Sequence, residues 1–141
     1  MQKIHFYSLD RKCTLKDRKK LKIFIETLFA REKNKLGSLS YIFCSDEHLL
    51  GINKEFLKHD FYTDVITFDL SLSKNKIEAE VYISIDRVKE NAKHAAVTFT
   101  EEIHRVIFHG ALHLCGYKDK KSTEIDLMRQ AEKKYLNLYF R

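Results

Sequence analysis

The sequence predicts an α+β (mixed α/β) fold, in which a single four-stranded mixed sheet packs with about five helices. The first observation is the order of segments, β-α-β-α-β-β-α-α-α, in which apolar residues recur with a period of two in some segments and of three to four in others. The second is a segment, 98–115, that is apolar almost all round, as is typical of a helix at the centre of a domain. We therefore expect the other elements to surround this helix.

The N-terminal part predicts two strands and two helices. Alternating residues over 4–8 indicate the first strand. Thr14, followed by Asp17, is a capping-box pattern that predicts a helix to about Asn34. Residues 39–44 have the length and composition of the second strand. Ser45, followed by two acidic residues, then predicts the N-cap of a helix that ends near Leu57.

The second half predicts two strands and three helices. Residues 65–70 and 77–85 read as strands, and in the second of these Ala79, Val81 and Ile83 fall on one face. Apolar spacing predicts a short helix over 86–96 and the buried helix over 98–115. Ser122 or Thr123 is the expected N-cap of the last helix.

Length and composition indicate the class of protein. The 141 residues, 44% hydrophobic and 33% charged, correspond to one globular domain, 1–141. Such a chain buries about 69% of its surface on folding, enough for a core without disulfides. The odd number of cysteines, three, therefore favours a reducing cytoplasm over secretion. We expect neither export nor membrane spanning, because the sequence lacks a signal-peptide pattern and any apolar run of about 18 residues.

The formal charge of +6 is concentrated at the start of the chain. Residues 1–35 contain 11 Lys and Arg against 4 Asp and Glu, whereas the other 106 residues contain 15 against 16. This asymmetry predicts a polyanionic partner for the N-terminal helix, with Lys16, Lys19 and Lys22 as candidate contacts. The alternative is a helix whose lysines simply face solvent.

The buried helix carries a candidate metal site. His109 and His113 are four residues apart, so their imidazoles share one face of the helix and can bind the same ion. Gly116 can take the left-handed conformation that ends a helix, and Asp119 can then turn back to supply an oxygen. Three protein ligands and one open position are typical of catalytic zinc. The alternative is a pair of histidines that only satisfies polar groups of the helix.

The spacing H-x3-H-x2-G-x2-D is that of an extended zinc-protease helix. In those proteases a glutamate directly after the first histidine serves as the general base. Gly110 stands at that position here. A peptidase of this kind would lack its proton acceptor, which makes a zinc peptidase the weakest of the alternatives.

A longer pattern spans most of the chain, from about residue 49 to residue 128. Its centre is His109-Gly110-x-Leu112-His113-Leu114-x-Gly116-Tyr117, followed by Glu124 and Met128. Two more segments accompany it: Ile52-Asn53 with Asp60 and Thr63-Asp64-Val65-Ile66-Thr67-Phe68, and Ala79-Glu80-Val81-Tyr82-Ile83-Ser84. In this combination and order the chain resembles the YbeY family of bacterial rRNA maturation factors and endoribonucleases.

The resemblance implies a zinc-dependent, single-strand-specific endoribonuclease that acts in 3′-end maturation of small-subunit rRNA and in ribosome quality control. The implied cofactor is one Zn²⁺ per chain, and the implied partners are RNA and the ribosome. Neither DNA nor a membrane is an expected partner, and a monomer is the default state. No general acid or base stands out, and Glu124 either orients a metal ligand or begins the last helix. The alternative is a non-catalytic rRNA-binding assembly factor with a structural metal.

Two departures from the family pattern concern the RNA. Leu57 replaces a family arginine, and Lys58 or His59 is the candidate to supply the missing positive charge to an RNA phosphate. Tyr62 replaces a proline before the Thr-Asp pair. Because proline fixes its own φ and tyrosine does not, we expect a more mobile loop there.

A third departure concerns the metal and gives a prediction. Family members usually present a histidine where this chain has Asp119, and an aspartate where it has Lys118. A carboxylate ligand lowers the net charge of a zinc site from about +2 to about +1, so water at the open position should be less acidic than in a three-histidine site. We expect Asp119→His to shift the pH profile of activity to lower pH and to alter the metal preference. A titration of activity against metal and pH checks this, and identical profiles for the two proteins would contradict it.

Overall fold

The computed structural model describes residues 2–141 and, within them, four strands and five helices, which confirms the predicted α+β class. The elements are β1 (Ile4–Ser8), α1 (Arg18–Arg31), β2 (Leu36–Cys44), α2 (Asp46–Leu57), β3 (Val65–Asp69), β4 (Ile77–Ser84), α3 (Ile85–Ala95), α4 (Phe99–Leu114) and α5 (Ser122–Tyr139). None of the helices in this range is both long and apolar enough to span a membrane.

The strands form one mixed sheet in the order β1-β2-β4-β3. β1, β2 and β4 are parallel neighbours, so that Tyr41 of β2 pairs with Phe6 on one side and Val81 on the other. β3 runs antiparallel to β4 at the edge, where Thr67 pairs with Val81. Parallel neighbours need long crossover connections, which here contain helices. Those crossovers place helices on both faces of the sheet.

The main core lies between one face of the sheet and α4. The predicted inward face of β4, Ala79, Val81 and Ile83, is buried there. As its apolar surface predicts, α4 is buried along most of its middle, from residue 102 to residue 112. Tyr41 donates a hydrogen bond from its hydroxyl to the carbonyl oxygen of Ile107, 2.8 Å away, which fixes the helix against the sheet.

The opposite face of the sheet is covered in part by α2. Cys44, Leu49 and Ile66 form a small buried cluster beneath this helix. Ser45 is its N-cap, as the sequence predicts, and accepts a hydrogen bond from the backbone N–H of His48. The position of α2 brings its buried Asn53 to the end of the sheet where β3 begins.

The boundaries predicted for α1 are wrong at both ends. The helix begins at Arg18 rather than at Thr14, and its N-cap is Asp17, whose side chain accepts from the backbone N–H of Lys20. The preceding segment stays irregular because Cys13 and Leu15 are buried. The helix ends at Arg31 because the next residues form a left-handed cap, in which the N–H of residue 34 bonds to the carbonyl of residue 29.

Two other predicted boundaries are corrected. The N-cap of α5 is Lys121, not Ser122 or Thr123, because Glu124 accepts the backbone N–H groups of Lys120 and Lys121 and so caps the helix from its first turn. β2 begins at residue 36 rather than 39, since its pairing with β4 continues across a register shift between residues 36 and 38. The remaining predicted boundaries agree with the structure to within one residue.

Gly110 allows α4 to approach the sheet closely. A Cβ atom at this position would lie 2.9 Å from Cγ1 of Val81, closer than real Cβ contacts. Val81 cannot rotate away easily, because a β-branched side chain is stiff at χ1 and this one is fully buried. The contact therefore fixes the distance between α4 and β4 at Gly110, and with it the position of the neighbouring His109.

This contact gives a stability prediction. Gly110→Ala should lower the free energy of unfolding by about 1–2 kcal/mol, because overpacking outweighs the helix propensity gained. In the background of Val81→Ala the same change should become neutral or stabilising, since the colliding methyl group is gone. Gly51→Ala, in α2 with open space around it, is the control and should stabilise by about 0.5–1 kcal/mol. Chemical denaturation checks all three. If Gly110→Ala lowered the free energy of unfolding equally with Val81 and with Val81→Ala, the predicted contact would be contradicted.

Candidate active site

A cavity of about 420 Å³ opens beside α4, between α5 and the loop that joins α2 to β3. His109, His113 and Asp119, the three residues predicted as metal ligands, all line it. Two arginines, Arg105 and Arg129, line it as well and also border a groove of about 630 Å³ between α4 and α5. The structure therefore brings the candidate ligands together with two positive charges.

His109 is held by a carboxylate behind it. Its Nδ1 lies 2.7 Å from Oε2 of Glu132, on α5. Since a carboxylate only accepts, Nδ1 carries the hydrogen, which leaves Nε2 as the nitrogen that can bind a metal ion. That Nε2 lies 3.5 Å from Oδ2 of Asp119.

His113 is oriented in a matching way by the backbone. Its Nδ1 lies 3.0 Å from the carbonyl oxygen of Tyr117, which again can only accept. In His113, too, Nε2 is therefore the nitrogen left to bind a metal ion. The rings of His109 and His113 are parallel to within 4°, with centroids 6.3 Å apart, as expected for residues one helical turn apart.

Asp119 returns to the histidines because the chain turns at Gly116, where φ is +106°. Two ligands of a tetrahedral zinc ion lie about 3.4 Å apart, so the 3.5 Å between His109 and Asp119 fits such a pair. Within residues 2–141, however, no three His, Cys, Asp or Glu side chains form a complete metal-binding group. Asp119 is the adjustable member, because its side chain is 42% exposed. Two imidazoles with occupied Nδ1 atoms and one carboxylate form a donor set suited to Zn²⁺.

Glu132 joins the histidine to a network of buried charges. Its Oε1 accepts from Arg105 and from Arg129, each at 3.1 Å, and the residue is only 2% exposed. Burial alone would raise the pKa of Glu132, but the hydrogen bond from His109 and the charges of Arg105 and Arg129 outweigh it and hold the pKa below its ordinary value. Glu132 is therefore ionised and keeps its acceptor role.

Arg105 is the cation that ties this network together. Glu102, one turn earlier on α4, binds it through both carboxylate oxygens at 2.9 and 2.7 Å, and Asp64 lies 3.5 Å away. Burial opposes the charge of Arg105, but its hydrogen bonds to Glu102 and the charge of Glu132 raise its pKa overall. Because Arg105 is bound to the carboxylates of Glu102, Glu132 and Asp64, it serves the structure of the cavity wall.

Residues before β3 form the opposite wall. The backbone oxygen of Asp64 accepts from the N–H of Ser84, and its carboxylate accepts from Asn91 at 3.2 Å. Thr63, which also lines the cavity, contacts the carbonyl oxygen of Val65 at 3.5 Å. Both side chains therefore help to fix the start of the strand at the edge of the cavity.

The lysines predicted to bind RNA lie outside the lining of the cavity. Lys16 and Lys19 are exposed near the start of α1, and Lys22 contacts the side-chain oxygen of Gln2 at 3.2 Å. Lys58 is the left-handed C-cap of α2, whereas its neighbour His59 does line the cavity. The role of these lysines stays a prediction.

Glu132, which the sequence did not single out, holds the position beside a candidate ligand that was considered for Glu124. In the structure, the carboxylate of Glu124 accepts backbone N–H groups at the start of α5, and Glu132 contacts His109. A signal for Glu132 was present, because it lies four residues after Met128 and one after Ala131, within the apolar stripe of α5. A carboxylate at a core position indicates a buried polar partner.

Comparison with known proteins gives consistent matches. The family model described as endoribonuclease YbeY matches residues 6–139. The endoribonuclease YbeY of Cytophaga hutchinsonii is 48% identical over 135 residues, which cover 96% of this chain and 94% of the relative. That of Flavobacterium psychrophilum is 47% identical over 116 residues, 82% of each chain. The solution structure of TM1509 from Thermotoga maritima has a TM-score of 0.59 at 28% identity and covers 97% of this chain and 89% of that one.

The contact between Glu132 and His109 gives a prediction. Glu132→Gln should weaken Zn²⁺ binding by about 10- to 100-fold, as expected when the partner that orients a ligand histidine is lost. Glu102→Gln is the matched control, because Glu102 is also buried and bound to Arg105 but does not contact the histidine. It should leave Zn²⁺ affinity within about twofold. Competition with a chelator measures both, and equal losses would show that the effect comes from Arg105 rather than from His109.

Proposed function

Since the chain belongs to the YbeY family of endoribonucleases, we propose that it hydrolyses single-stranded RNA with one bound Zn²⁺. We propose further that it acts in the cytoplasm on the 3′ end of small-subunit rRNA and in ribosome quality control, as one domain formed by residues 1–141. The observation that supports a catalytic site is the arrangement of His109 and His113. Their Nδ1 atoms are bound to Glu132 and to a backbone carbonyl, which leaves both Nε2 atoms available beside Asp119 in an open cavity.

His109, His113 and Asp119 would hold the metal. A bound Zn²⁺ supplies Lewis acidity, which polarises a phosphodiester and lowers the pKa of water. A structural site would enclose the ion with four ligands, whereas here the third donor is 42% exposed and borders open space. This openness favours the nuclease over a binding factor with a structural metal.

The residues around the ligands have separate tasks in this proposal. Glu132 fixes the hydrogen on Nδ1 of His109 and so keeps Nε2 available. Arg129 contacts Glu132 through one nitrogen, and its side chain is 60% exposed, so most of its guanidinium is free to bind a phosphate of the strand. Arg105 holds Glu132 and Asp64 in place from the interior.

A peptidase finds less support in this site. The position after the first histidine is Gly110, which packs against Val81 rather than supplying a carboxylate. The buried carboxylate nearest to His109, that of Glu132, is bonded to the histidine and to two arginines. It is therefore committed to positioning the ligand.

Cleavage of RNA tests the proposal directly. The zinc-loaded protein should cut a single-stranded RNA that carries the 3′ sequence of small-subunit rRNA, and a chelated sample should not. His113→Ala should reduce the rate by at least about 100-fold, because the loss of a ligand exceeds that of an outer partner. His94→Ala, an exposed histidine of α3 outside the cavity lining, should retain the full rate.

The outcomes separate the alternatives. Undiminished cleavage by His113→Ala would place the activity elsewhere in the protein. RNA binding without any cleavage by the zinc-loaded protein would support the non-catalytic binding factor. Binding alone cannot separate the two, because both would bind RNA in a salt-dependent way.

A further inference from the structure

A stacked pair of rings borders the cavity opposite the histidines of α4. His59 and Phe61 lie with their ring centroids 5.0 Å apart and their planes at 20°, and both line the same cavity as His109 and His113. Phe61 is 56% exposed. Within residues 2–141 neither ring belongs to a hydrophobic core cluster, so the pair contributes little to the core.

The loop that carries these rings is anchored through its backbone. Asn53, 2% exposed, donates from its side-chain amide to the carbonyl oxygen of Phe61 at 2.8 Å. The backbone carbonyl of Asn53 accepts from the N–H of His59 at 3.0 Å. A buried asparagine thus holds the loop at both aromatic positions, and the exposure of Phe61 is a fixed feature of the surface.

The next residue, Tyr62, is anchored as well, although the sequence predicts a more mobile loop where this tyrosine replaces a proline. Tyr62 donates its hydroxyl to the carboxylate of Glu47 at 2.8 Å, and its ring lies under the guanidinium of Arg87 at 5.2 Å. Of these neighbouring rings, Tyr62 is committed to α2 and α3, whereas Phe61 faces the cavity. A rigid aromatic surface binds a flat ligand with little loss of conformational entropy.

We propose that His59 and Phe61 form a stacking platform for one unpaired nucleobase of the RNA strand, next to the phosphodiester that is cut. The proposal rests on the proposed function, because it places that base in the candidate active site. An aromatic ring accepts any nucleobase, and Arg129 in the same cavity complements the charge of the adjoining phosphate. A base within a duplex is already stacked on both faces and cannot reach the platform, which favours single strands.

Binding of RNA to the chelated protein tests the platform without any cleavage. The probe is a fluorescent single-stranded RNA of 12 nucleotides, compared with the same strand made with abasic residues. Phe61→Ala should weaken binding of the intact strand by roughly 5- to 150-fold, the range for loss of one base–aromatic stack. Phe61→Trp should restore it. Phe56→Ala removes an equally exposed phenylalanine outside the cavity lining and should change affinity less than about twofold.

The abasic strand gives a second test of base stacking, one that needs no variant of the protein. The unsubstituted protein should bind the abasic strand more weakly than the intact one, and Phe61→Ala should add no further loss on the abasic strand. If the unsubstituted protein binds both strands equally, no base is stacked and the proposal is wrong. An equal loss of both strands in Phe61→Ala would also overturn it, because the loop would then act through the backbone of the RNA.

Activity of the zinc-loaded protein distinguishes this proposal from the proposed function. Phe61→Ala should raise KM by a factor similar to its loss of affinity and change kcat little, as expected for an interaction present before the chemical step. Cleavage that is independent of Phe61 would agree with the proposed nuclease activity and contradict the stacking platform. RNA binding that depends on Phe61 and on the bases, without cleavage, would support the stacking platform and contradict the proposed nuclease activity.

Discussion

The hydrogen bond between His109 and Glu132 is the interaction on which the geometry of the site depends. It joins the buried helix α4 to α5, and the same carboxylate accepts from Arg105 and Arg129. Arg105 in turn reaches Asp64 at the start of β3. One buried acid therefore connects two helices and the edge of the sheet. Removing one charge from such a network lowers the stability of the fold, because its partners stay buried without an opposite charge.

The packing of α4 supplies the second constraint. The absence of a side chain at Gly110 lets the helix lie close to Val81, and Tyr41 bonds to a backbone carbonyl of the same helix. These contacts fix the height and rotation of α4 above the sheet. Because His109 and His113 are four residues apart on that rigid helix, the backbone places both on one face, and Glu132 and the carbonyl of Tyr117 orient their rings. Asp119 lies beyond the helix, and its exposed side chain leaves the site able to adjust to an ion.

The basic N-terminal region has a partly structural role. Lys20 donates from Nζ to the carbonyl oxygen of Tyr139 and lies 4.5 Å from the centre of that ring, which attaches α1 to the end of α5. Lys22 contacts Gln2. Inside the cavity, Arg129 rather than a lysine of α1 is the exposed cation. The asymmetry of charge in the sequence therefore indicates a surface separate from the candidate site.

The sequence by itself determined the order and type of all nine elements within residues 2–141, the inward face of β4 and the pairing of His109 with His113 on one face of α4. These features have a short period, so neighbouring residues carry the information. The start of α1 was predicted wrongly, because Leu15 is buried in the main core, a cluster that includes residues far along the chain. Glu132 lies 23 residues from His109, and Phe61 reaches the same cavity from a different loop. Only the tertiary structure decided these contacts, because the packing of α5 and of the loop before β3 against α4 brings distant residues together.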